Sequence, residues 1–155
     1  MILCLLTMLC CIRIRSRARL RASRTLCSKH GKASPNPTSA AALAAVEGDV
    51  AALRSMLPKS LAAADQTGNT PLIWAAEHGQ LDAIKFLLDS PLVDVDAKGH
   101  LGATAISRAS RRGHASALRA LAPRATSIDE PNDKLQYPLH FAAFKRKPAT
   151  VRALL

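Results

Sequence analysis

Between Gly68 and Leu88 the apolar positions fall into two short runs at helical spacing. Leu72, Ala75 and Ala76 form the first, and Leu81, Ile84, Leu87 and Leu88 the second. Punctuation agrees with the pattern. Thr70 can cap the first helix through its hydroxyl, and Pro71 sits at the first helical position, where its missing N–H costs nothing. Gly79 ends that helix, since a left-handed backbone is cheap only without a Cβ. A helix pair this small cannot bury its apolar face alone, so the pattern predicts further copies in the chain.

The copies are present. Gly102 to Ala109, continuing to Gly113, repeats the pattern 34 residues later, with Leu118 and Leu121 as the second apolar face. Tyr137 to Ala143 repeats it 33 residues further on, with Val151, Leu154 and Leu155. Upstream, Ala44 to Gly48 matches Ala75 to Gly79 at a distance of 31, and Leu53, Met56 and Leu57 follow. Leu61-Ala62-Ala63, Val95-Asp96-Ala97 and Ile128-Asp129-Glu130 occupy equivalent connectors, too short for strands and suited to extended hairpin loops. The expectation is an all-α solenoid of stacked helix-turn-helix pairs over residues 40–155. Its units span 40–64, 65–97, 98–130 and 131–155, the last ending in mid-motif at Leu154-Leu155, as a truncated piece of a longer protein would.

The repeat resembles the ankyrin repeat, on Asp65, Gly68, Thr70, Pro71, Leu72, Ala75, Ala76 and Gly79, with Gly113 at the third corner and the YPLHFAA version around His140 in the fourth. The resemblance implies structural roles for these residues: the loop aspartate Asp65 bonds neighbouring backbone, and the imidazole of His140 bridges helix and loop. The third unit departs from the family pattern with Ala105 for proline, Ser107 for histidine and Gly99 for the loop aspartate. The fourth has Arg146 at the corner glycine, at a cost of about 1 kcal/mol if that residue is left-handed.

Charge adds a second region. The chain carries +11, yet residues 1–46 hold eight Lys/Arg and no acid, and the remainder nets only +3. Residues 1–39 therefore form a separate arm. Met1 to Ile12 is apolar but too short to span a bilayer, which takes roughly 20 helical residues. Arg13, Arg15, Arg17, Arg19, Arg21 and Arg24 follow, and Ser34 to Ser39 reads as a Pro/Ser linker. Three readings of the arm stand: an organelle transit segment, a membrane-surface anchor through residues 1–24 with Cys4, Cys10 and Cys11 open to acylation, or a functionless stretch that is either a disordered leader or the product of a misassigned start of translation. Without aromatic residues to stack on bases, the arm disfavours nucleic acid. All four cysteines lie in the arm without metal-ligand spacing, so no metal, cofactor or disulfide framework is expected, and a reducing, cytoplasmic setting is the default.

No G-x-S-x-G, H-E-x-x-H, C-x-x-C or phosphate-binding glycine loop occurs, and each acid and histidine has a repeat-position explanation. No catalytic residue is expected; His78 and His114, flanking the corner glycines, are expected to be solvated, and Trp74 to pack in the core. The resemblance implies a monomeric, non-catalytic protein-interaction scaffold that binds through its concave face. By that analogy the partner-facing positions are Glu77, His78, His100, Leu101, Arg111, Arg112, Lys134, Gln136, Phe144 and Lys145. The basic ones gather in the third and fourth units, which points to an acidic partner segment with Phe144 as an apolar anchor. The alternative is a membrane-peripheral or nucleic-acid-associated adaptor acting through the arm.

Overall fold

Thr70 caps its helix through the side chain: Oγ1 accepts from the Ile73 N–H at 3.4 Å, and Gly79 closes the helix with φ 70°. Ser39, Asp49 and Thr104 cap three other helices in the same way. In the computed structural model, which describes residues 36–155, these caps delimit α1 Ala40–Glu47, α2 Val50–Arg54, α3 Pro58–Ala62, α4 Pro71–His78, α5 Leu81–Leu88, α6 Ala105–Arg112, α7 Ala115–Leu121, α8 Pro138–Phe144 and α9 Pro148–Leu154. The described residues form no strand. The apolar run, the arginine tract and the cysteines of the arm lie outside the described residues. Replacing Thr70 by Ala removes a cap worth about 1 kcal/mol, and a denaturant titration of the full chain should show that loss.

First helices stack on first helices, α1 on α4 on α6 on α8, and second helices likewise, α2 on α5 on α7 on α9. The first row is built on alanine. Ala42, Ala45, Ala75, Ala76, Ala105, Ala109 and Ala142 are all fully buried, and their small side chains let neighbouring helices pack closely. Leu53, Ile84, Leu87, Leu118 and Leu121 fill the space between the two rows.

Corners and loops lock each unit to the next. Gln80 donates through Nε2 to the Val46 carbonyl at 2.8 Å; one repeat on, His114 Nε2 lies 3.1 Å from the Glu77 carbonyl oxygen. Each of these side chains crosses the previous corner so closely that a Cβ on Gly48 or Gly79 would lie 2.8 Å or less from it. At Gly79 the rigid His114 ring thus gives a second reason for glycine beside φ. Arg146 stands at the fourth corner with φ 50°, the left-handed backbone its position implied. Along the loops, the Gln66 N–H donates to Thr38 Oγ1 at 3.1 Å, the His100 N–H to Asn69 Oδ1 at 2.9 Å, and the Asp133 N–H to the Leu101 carbonyl at 3.2 Å.

Two local expectations are corrected. The connector after Leu57 contains a helical turn, α3, because Pro58 supplies a preset φ at its first position. Of the Pro/Ser linker, Thr38 and Ser39 are engaged by the fold, the first on the Asp65 loop and the second as the α1 cap.

Candidate functional site

The loops before α4 and α8 are built alike. Asp65 Oδ1 accepts from the N–H groups of Thr67 at 2.8 Å and Asn69 at 3.1 Å; Asn132 Oδ1 accepts from those of Lys134 at 3.0 Å and Gln136 at 2.9 Å. The loop before α6 keeps the same backbone turn, Gly99 to Ala103, without the side-chain acceptor. Gly99 is there because the preceding unit leaves no room: a Cβ would lie 2.7 Å from Ile73 Cδ1. These loops present His100, Leu101, Lys134 and Gln136 at the surface. Leu135 takes φ 56° where Gly68 and Gly102 stand in the other two loops.

Glu77 is not a surface acid. Its side chain is 1% exposed and sits at the junction of α4 and α6. Its Oε1 accepts from Arg111 Nη2 at 2.9 Å and from Arg112 Nε and Nη2 at 3.2 and 2.6 Å, while Arg108 Nη1 lies 3.4 Å from Oε2. Burial alone would raise its pKa, but the Arg112 hydrogen bonds and the charges of Arg108, Arg111 and Arg112 outweigh it and hold the carboxyl below its ordinary value. Arg111 and Arg112 are therefore not free groove cations; each spends part of its guanidinium on Glu77 and leaves the rest in solvent, at 37% and 40% side-chain exposure.

Arg108 was not anticipated. It occupies the place in α6 that Trp74 occupies in α4, and its guanidinium is buried between Glu77 and the His100 carbonyl, which accepts from Nη2 at 3.1 Å. The signal was in the repeat register: residues one repeat apart stack, so an acid at 77 meets whatever stands at 111 and one turn earlier, at 108.

Histidines, too, differ from expectation. His114 is half-buried; burial, with a smaller contribution from the charges of Arg112, His78 and Lys147, lowers its pKa despite the bond to the Glu77 carbonyl, and the neutral ring donates from Nε2. His78 is half-buried with Nδ1 3.1 Å from the Trp74 carbonyl oxygen. His140 is exposed, and its Nδ1 accepts from the Tyr137 N–H at 3.4 Å.

Five of the ten predicted partner-facing residues, His100, Leu101, Arg111, Lys134 and Gln136, line one cleft of about 110 Å³ between the loops before α6 and α8. Phe144, 82% exposed, and Lys145, whose Nζ lies 5.9 Å from the Phe144 ring centre, stand apart from it. Within the described residues no group of three or more His, Cys, Asp or Glu side chains could hold a metal ion, and no helix is long and apolar enough to cross a membrane. The cleft brings the cationic side chains of Arg108, Arg111 and Lys134 together with the apolar Leu101 and Phe141.

Stacked helix pairs, capped by Thr and closed by a left-handed corner glycine, agree with the sequence comparison. A family model described as ankyrin repeats (3 copies) matches residues 18–99, just over half of the chain. The helix pairs beyond residue 99 continue the same stacking. The chain belongs to the ankyrin-repeat family.

Proposed function

We propose that this chain is a non-catalytic scaffold whose loops and first helices, over residues 98–155, hold an acidic segment of a partner protein. Ankyrin repeats are generally protein–protein interaction modules, and the family is typically non-enzymatic, which supports the reading. One observation carries the reading. Residues 36–97 contain three basic and eight acidic side chains, and residues 98–155 contain eleven and three, a change in net charge from −5 to +8 along the stack. A gradient of that size draws an acidic segment to one end and orients it. Charge of this kind sets partner selection and association rate more than it sets the fold.

Arg111 and Arg112 are poor targets for testing this, because reversing either puts a negative charge beside the buried Glu77 carboxylate. Lys134 and Lys145 are exposed and make no ion pair among the described residues. Fluorescence anisotropy with a labelled Glu-rich 12-residue peptide gives the readout. Lys134→Glu combined with Lys145→Glu should weaken binding by about tenfold, roughly 1.4 kcal/mol, and flatten its salt dependence. Unchanged affinity and unchanged salt dependence would remove the reading.

A further inference from the structure

The cleft exists because of two substitutions between consecutive units. In α4, Trp74 tucks under its own loop and donates from Nε1 to Asp65 Oδ2 at 3.0 Å, while Ile73 fills the space up to the next loop. In α6 the same two places hold Arg108 and Ser107. Ser107 is short and turns its hydroxyl back to the Thr104 carbonyl at 2.9 Å, so the space that Ile73 fills one repeat earlier stays open. Asn132, with a side chain, stands where Gly99 stood.

Leu101 and Phe141 form apolar walls, and Arg108, Arg111 and Lys134 supply positive charge. Among the described residues no acidic side chain lines the cleft. Arg108 is 5% exposed, and its Nε–H finds no acceptor among the described residues. Glu77 is a single carboxylate facing three guanidinium groups, so positive charge is left over on the cleft side. At about 110 Å³ the space is well below the ~300 Å³ at which small-molecule and cofactor pockets begin, and it suits a single side chain.

We infer that this cleft receives one glutamate side chain of the bound segment, its carboxylate against Arg108, Arg111 and Lys134 and its methylene groups between Leu101 and Phe141. The inference rests on the proposed binding of an acidic segment and adds a subsite to it. Long-range charge alone treats glutamate and aspartate alike. A cleft with apolar walls does not, because the extra methylene of glutamate is removed from water there.

The test measures two fluorescein-labelled 12-residue peptides, one Glu-rich and one Asp-rich with equal net charge, against the full chain. The Glu peptide should bind tighter by about fourfold, the factor one buried methylene supplies. Ser107→Val narrows the cleft without changing charge and should bring the ratio close to one while the Asp peptide keeps its affinity. Should a thermal melt show that Ser107→Val does not fold, Lys134→Met at the exposed rim gives a second reading, weakening the Glu peptide more than the Asp peptide. Equal affinities in the unmodified chain, or a ratio that survives the folded variants, would overturn the subsite alone. Binding of neither peptide would overturn the proposed function and the subsite together.

Discussion

Glu77→Ala should destabilise the chain by about 3–5 kcal/mol in chemical denaturation at neutral pH. The reason is what the mutation leaves behind. Arg108 is buried with only 6% of its side chain exposed, and without Glu77 its charge keeps one carbonyl acceptor and no counter-ion among the described residues. By contrast, Arg111→Ala and Arg112→Ala remove half-exposed partners and should each cost about 1 kcal/mol or less. A Glu77→Ala cost of that same small size would mean that Arg108 escapes to solvent and that the cluster is not a buried pair.

The same cluster sets an acid limit. Glu77 has a folded pKa below its ordinary 4.5, so its contribution is complete above about pH 4.5 and is lost as pH falls through the lower folded value. His114 acts in the same direction from a higher start. Its folded pKa lies below the ordinary 6.5, so the neutral ring's contribution is complete above that pH and declines as pH falls through the folded value. Stability should therefore fall in two stages on acidification, and Glu77→Gln should shrink the second while leaving the first. Asp65 supplies the rest of the second stage: burial alone would raise its pKa, but the hydrogen bonds it accepts from Thr67, Trp74 and Asn69 outweigh that and hold its carboxyl below its ordinary value. A single stage in the unmodified chain would contradict that assignment.

The contrast between Thr70 and Glu77 shows which parts of this chain were legible in its sequence. Thr70 and Pro71 act on their own helix, as Gly79 does through its φ, so the backbone within a few residues determines these signals, and spacing alone placed the helix pair and its copies. Glu77 acts on the next unit, 31 to 35 residues away, and looked like a surface acid until stacking brought Arg108, Arg111 and Arg112 to it. The burial of His114 is hidden from the sequence for the same reason, since its partner is the Glu77 carbonyl across the corner. Half of the proposed partner-facing positions do share one cleft, because His100, Leu101, Lys134 and Gln136 sit in loops whose register the repeat fixes. The cleft itself was not visible. It depends on Ser107 being smaller than Ile73, which matters only once the helices are stacked.

Trp74 carries the other large effect. It is the only tryptophan, is 2% exposed, and ties α4 to its own loop through Nε1–H to Asp65 Oδ2 at 3.0 Å. Asp65 is in turn the acceptor that shapes the loop, through Oδ1 to the N–H groups of Thr67 and Asn69. Truncation to Ala loses both the packing and the tie, and should cost about 3–5 kcal/mol. Trp74→Phe keeps most of the buried area and isolates the hydrogen bond, worth about 1–2 kcal/mol because the acceptor is charged and half-buried. Combining Trp74→Phe with Asp65→Asn in a double-mutant cycle separates the bond from the packing. A coupling near zero would mean that the indole is held by packing alone. The same residue reports on the folded state: its emission should be blue-shifted and weakly quenched by iodide, and both properties should be lost at the unfolding midpoint measured by circular dichroism. Strong iodide quenching before that transition would place the indole in solvent and remove the tie between α4 and its loop.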